Sequence, residues 1–188
     1  ENPLGITNIV ISGVVSPYHI ALDTEGQYVY WTDNASTVKE IKRIKYDGSE
    51  IETIITDAHV KQVAGITLND ANTKLYWSDF EDDVIYSADA ASEDQNIQAL
   101  FSISGDSTPW AIDVDSQSDV LYWTDYLNSA IYKIDLTTSE QTVVASEVST
   151  PSGFVAYSDL TITPGNPENF VSTWRTSNSG QSEDDEIT

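Results

Sequence analysis

Short segments of alternating apolar and polar residues follow one another along this chain, and the alternation restarts in the same order three times. Ile20-Ala21-Leu22-Asp23, Tyr28-Val29-Tyr30-Trp31, Glu40-Ile41-Lys42-Arg43-Ile44 and Ile51-Glu52-Thr53-Ile54-Ile55 read as four strands, rich in β-branched and aromatic residues and bounded by polar turns. The second set is Ile66-Thr67-Leu68-Asn69, Lys74-Leu75-Tyr76-Trp77, Val84-Ile85-Tyr86-Ser87 and Ile97-Gln98-Ala99-Leu100-Phe101. The third is Ile112-Asp113-Val114-Asp115, Val120-Leu121-Tyr122-Trp123, Ala130-Ile131-Tyr132-Lys133-Ile134 and Thr142-Val143-Val144-Ala145. Helical periodicity is absent throughout.

Each second strand runs into Tyr-Trp-Thr-Asp or Tyr-Trp-Ser-Asp, and the tyrosines Tyr30, Tyr76 and Tyr122 stand at a constant interval of 46 residues. Four short strands per repeat with a period in the mid forties describe the blade of a β-propeller. The expected fold is therefore all-β, with three full four-stranded antiparallel blades plus parts. Neighbouring side chains of a strand point to opposite faces, so Tyr30, Tyr76 and Tyr122 should pack on one adjoining sheet and Trp31, Trp77 and Trp123 on the other. The hydroxyl that follows, and Asp33, Asp79 and Asp125, sit where they can lock a turn by hydrogen bonding. Repetition argues for a structural duty, and the same reasoning covers Asp23, Asn69 and Asp115, which recur at the ends of the first strands. Their alternative reading is a ligand set for a channel metal in a propeller hydrolase.

These tetrapeptides, with Pro17-Tyr18-His19-Ile20-Ala21-Leu22-Asp23 and Pro109-Trp110-Ala111-Ile112-Asp113 ahead of two of them, resemble the YWTD repeats of low-density lipoprotein receptor propellers over about residues 9–165. The resemblance implies a six-bladed ring, a non-catalytic protein-interaction role in a receptor or matrix protein, and an extracellular or cell-surface ectodomain. It also implies that Asp33, Asp79 and Asp125 tie adjacent blades together. Asn8 to Val15 then reads as the fourth strand of a blade begun elsewhere, and Thr150 to Leu160 as a closing strand. Residues 1–165 become the C-terminal half of a ring, followed by a polar, acidic tail at 166–188. A half ring exposes apolar inter-blade faces, so another chain, another copy or more of the same polypeptide should complete it. The start at Glu1 rather than Met fits a processed product or fragment. An assembly subunit whose half-ring edges join chains is the alternative role.

Composition narrows the partners. Apolar residues make up 39% of the 188 and aromatics 10%, enough for a packed core, while 8 basic against 31 acidic residues leave a net charge of −23. Such a surface repels nucleic acid and anionic lipid, and no apolar run reaches the length of a spanning helix. A basic or amphipathic protein segment fits it. Without cysteine there is no disulfide or thiolate metal site, and two histidines with no nucleophile or phosphate-loop motif give catalysis little footing. Neither cofactor nor metal is expected.

In a propeller the connections from fourth to first strand and from second to third strand share one face. Here they carry Tyr18, His19, Trp110, Phe80-Glu81-Asp82-Asp83 and Tyr126-Leu127-Asn128, the candidate ligand contacts: aromatic anchors among carboxylates. Trp110 is equally readable as an anchor or as a buried plug. Asn34-Ala35-Ser36 is an N-glycosylation sequon on the same face. Four extra residues in Thr37 to Lys42 of the first repeat bring Lys39, Lys42, Arg43 and Lys45 together, read as a solvated strand edge or, alternatively, an anion site.

Overall fold

A computed structural model describes residues 13–56, 59–90, 96–103, 106–154 and 156. Twelve strands form three sheets, with no helix among the described residues. Blade 1 is β1 (Pro17–Asp23), β2 (Tyr28–Asn34), β3 (Lys39–Lys45) and β4 (Glu52–Ile55). Blade 2 is β5 (Val63–Leu68), β6 (Lys74–Asp79), β7 (Val84–Asp89) and β8 (Gln98–Ser102). Blade 3 is β9 (Pro109–Asp115), β10 (Val120–Asp125), β11 (Ala130–Asp135) and β12 (Gln141–Ala145). Each sheet is an antiparallel meander in chain order, the blade architecture expected from the period.

Two boundaries differ from the sequence reading in an informative way. The second strands continue through the whole tetrapeptide, because Thr32 still pairs with Ile41 and Asp33 with Glu40. The extra residues of the first repeat lengthen this hairpin, where Asn34 pairs with Lys39 as one further rung. The first strands begin earlier than the alternation indicates, at Pro17, Val63 and Pro109, because each carries a register shift that breaks the alternation. Pro17 lies opposite Asp33 and Ile20 opposite Trp31, so Tyr18 and His19 together face Thr32, as in a β-bulge.

The hydroxyl of the motif answers this bulge. Thr32 Oγ1 accepts from His19 N at 3.1 Å, Ser78 Oγ from Gly65 N at 2.9 Å and Thr124 Oγ1 from Ala111 N at 3.0 Å. A bulge leaves an amide off the ladder, and a buried unpaired amide costs about 1–3 kcal/mol. The same hydroxyls donate onward to the next blade, Thr32 Oγ1 to Ala64 O at 2.9 Å and Ser78 Oγ to Trp110 O at 2.8 Å.

Apolar packing fills the wedges between blades. Tyr30, Ile41 and Ile55 of blade 1 cluster with Val63, Ile66, Leu75 and Trp77 of blade 2. Tyr76 and Ile85 of blade 2 cluster with Ile112, Val114, Leu121 and Trp123 of blade 3. Tyr therefore turns to the following blade and Trp to the preceding one. Trp77 stacks on Tyr86 with centroids 5.5 Å apart and Trp123 on Tyr132 at 5.4 Å. Opposite Trp31 the register places Lys42 instead.

The first blade keeps an open side. Ile20 is 64% exposed, whereas its counterparts Ile66 and Ile112, covered by a preceding blade, are 4% and 6% exposed. Leu22 is exposed on the same strand. Of the segment Asn8 to Val15, residues 13–15 are described and are not in a strand. Of Thr150 to Leu160, the described residues are not in a strand either, and Ala156 N donates to Asp113 Oδ2 at 2.6 Å. The boundary at 165 and the tail at 166–188 lie outside the described residues.

Candidate binding face

Backbone bonds pin the loops of one face together: Asn34 N to Ser16 O at 2.9 Å, Phe80 N to Gln62 O at 3.0 Å and Tyr126 N to Thr108 O at 3.0 Å. The motif aspartates fasten the same loops. Asp33 accepts from Val15 N and Ser16 N at 3.0 and 2.8 Å. Asp79 accepts from Lys61 N at 2.6 Å and Gln62 N at 3.1 Å in the incoming linker, and from Glu81 N at 3.0 Å and Asp82 N at 3.3 Å in its own turn. Asp125 accepts from Ser107 Oγ at 2.7 Å, Thr108 N at 3.1 Å and the Asn128 backbone and side-chain amides at 3.1 and 2.7 Å. Burial opposes its charge, yet these bonds hold the Asp125 carboxyl below the usual carboxylate range. The aspartates thus join each blade to the linker that enters it, while the neighbouring hydroxyls make the direct bond from sheet to sheet.

On this scaffold four aromatic rings converge. Tyr18 and Trp110 occupy bulges of β1 and β9, and Phe80 and Tyr126 open the turns after β6 and β10. The Trp110 ring lies 5.7 Å from that of Tyr18, 5.4 Å from Phe80 and 6.3 Å from Tyr126. Trp110 and Phe80 are half-buried at the centre, and Tyr18, Tyr126 and Leu127 are exposed around them. Trp110 is therefore neither a sealed plug nor a free anchor. It is the hub of a cluster drawn from three blades.

The polar candidates divide. Glu81 is exposed at the rim, as is Asp106 from the linker before β9, a residue the sequence reading passed over because it lies outside any repeated word. Asp82 is held by Lys61 at 2.5 Å and by the Tyr86 hydroxyl at 3.3 Å. Asp83 has a left-handed backbone, φ 55°, and its carboxyl is pushed up by burial and then by the charges of Asp106, Asp125, Asp82 and Asp79. Asn128 spends its side-chain amide on Asp106 O and Asp125, which shapes the turn. His19 is half-buried in the first bulge, and burial lowers its pKa.

Asn34 stands where blades 2 and 3 carry Phe80 and Tyr126. Its side-chain amide nitrogen donates to Val63 O and its oxygen accepts from Val63 N at 3.1 Å, with the residue 8% exposed. The nitrogen that a glycan would occupy is thus inside the joint between blades 1 and 2. The basic cluster is paired along the strand, Lys42 with Glu40 at 2.6 Å, Arg43 with Glu52 at 2.7 Å and Lys45 with Glu50 at 2.9 Å. Asp23, Asn69 and Asp115 cap hairpin turns, accepting from Gly26 N at 2.7 Å, Thr73 N at 2.9 Å and Gln117 N at 3.0 Å. Among the described residues, no group of three or more His, Cys, Asp and Glu is arranged to hold a metal ion.

Over 73 residues, 39% of its length, the chain is 34% identical to low-density lipoprotein receptor-related protein 5 of Mus musculus. The solved structure of a nidogen/laminin complex superposes on 80% of the chain with a TM-score of 0.70 at 23% identity. The chain's Tyr-Trp-Thr-Asp and Tyr-Trp-Ser-Asp repeats are similar to the YWTD blades of low-density lipoprotein receptor propellers. A gluconolactonase of Xanthomonas campestris shares the blade fold over 81% of the chain, with a TM-score of 0.63 at 13% identity. No protein-family model matches the chain. The YWTD blades seen here span 56% and 55% of those two solved chains, and the matched segment is 4% of the receptor-related protein.

Proposed function

We propose that this chain is a non-catalytic, extracellular or cell-surface protein-interaction module, part of a six-bladed ring, that grips a basic or amphipathic protein segment on the loop face of its blades. One observation carries the reading: rings from three blades meet at Trp110 with exposed Glu81 and Asp106 at their rim. Aromatic anchors supply contact area, and carboxylates draw in cations from a distance. The overall charge of −23 acts in the same direction. A receptor-related relative and a structural neighbour solved in complex with laminin lend support. The recurring acids that a hydrolase would need are engaged in capping turns, which favours binding over the hydrolase alternative.

A random peptide library selected on the full chain tests the proposal. Enriched peptides should pair an apolar residue with Lys or Arg and lose roughly tenfold or more in affinity on Trp110→Ala, the range of an interface anchor. Peptides that bind Trp110→Ala as well as the parent chain would sink it.

A further inference from the structure

Residues 18, 64 and 110 are equivalent, and their hydrogen bonds show it. The next residue of each, His19, Gly65 and Ala111, donates its amide to the motif hydroxyl of its own blade. The carbonyls of Ala64 and Trp110 accept from the hydroxyl of the preceding blade. These equivalent bulge positions hold Tyr, Ala and Trp.

Blades 1 and 3 are separated by blade 2, yet the rings of Tyr18 and Trp110 are 5.7 Å apart. The middle position, Ala64, is completely buried. The next residue is tightly packed against blade 3: a Cβ on Gly65 would stand 2.4 Å from Trp110 O and 2.7 Å from the Ile112 side chain. By the same equivalence a side chain at position 64 leaves the middle blade at the bulge position from which Tyr18 and Trp110 leave theirs, so a bulky one there would compete with the contact of the two outer rings.

We propose that Ala64 is a specificity-determining residue of this face. Its methyl group lets Tyr18 and Trp110 close over the middle blade and fuses the loops of three blades into one platform. The fitting partner is a segment that lies across the platform and touches Tyr18 and Tyr126 together. A small residue here, rather than an aromatic one as on either side, excludes the other geometry, in which a partner side chain inserts between separate blades.

The inference rests on the binding role proposed above, and one experiment on the full chain separates the two. The most enriched library peptide is titrated against Ala64→Leu, Ala64→Ser and Tyr18→Ala. Ala64→Leu and Tyr18→Ala should each weaken binding roughly tenfold, the double variant should lose little more, and Ala64→Ser should bind like the parent. Tyr18 is exposed, so its variant reports even if Ala64→Leu fails to fold. Parent-like binding by Tyr18→Ala, or by a folded Ala64→Leu, overturns the inference and leaves the binding role standing. If no peptide binds, the binding role fails, and near-ultraviolet circular dichroism still tests the platform. Tyr18→Ala should then remove the signal of the coupled Tyr18 and Trp110 rings, and an unchanged spectrum overturns it.

Discussion

A carboxylate with four backbone partners is worth more to the fold than any surface ion pair. Asp79 is completely buried, and Asp79→Ala strips acceptors from the amides of Lys61, Gln62, Glu81 and Asp82. Unpaired, partly buried amides and a small cavity should lower unfolding free energy by about 3 kcal/mol in urea titration. Peptide affinity of the folded fraction should be unchanged, and a stable variant that loses binding would contradict this division of labour. The structural duty of the tetrapeptide was readable from its repetition. Its partners were not. The resemblance implied that the aspartates tie adjacent blades together; Asp79 holds the linker that runs from blade 1 into blade 2, and Thr32 and Ser78 bond one sheet directly to the next. A spacing says which residues recur, but only the path of the chain brings an acceptor within reach.

At the scale of one element, the turn from Phe80 to Asp83 shows how a hairpin carries strain and charge together. Asp83 takes the left-handed conformation that Asn also tolerates, and burial and four neighbouring aspartates raise its pKa. Because the folded value lies above the unfolded value of about 3.9, the charged side chain costs stability once the pH rises through that interval. Asp83→Asn should therefore raise Tm at pH 7 by a small amount, about 1 °C given solvent screening of a group that is only partly buried. The gain should vanish in acid, where the wild-type carboxyl is protonated in both states. Melting curves at several pH values decide it, and a gain that persists in acid would mean that charge is not the cause. The strands were legible because alternation marks them; the bulges at 18–19, 64–65 and 110–111 were not, because an extra residue erases the alternation that reveals a strand.

For the molecule as a whole, the exposed Ile20 and Leu22 are half of a joint that the chain builds twice elsewhere. We infer that a further blade covers them, from this polypeptide, a second copy or another chain. The 188-residue chain by itself should self-associate in light scattering, with a mass above the 20.7 kDa of one chain. Leu22→Asp should suppress this while circular dichroism stays that of folded sheet. A chain that remains monomeric over a wide concentration range would show that the face needs no cover.

The sequence by itself determined the blades. The 46-residue interval, the period-two alternation and the aromatic pair at each second strand leave a four-stranded sheet with two apolar faces little alternative to stacking against its neighbours. Tertiary structure alone decided which loop residues form a site. Tyr18, Phe80, Trp110 and Tyr126 belong to different blades, and nothing local in the chain encodes that the bulges turn two of them toward one another. It also decided that Asn34, a sequon by its neighbours in sequence, is a clamp by its neighbours in space. A motif records covalent order, whereas availability depends on what the fold packs against the side chain.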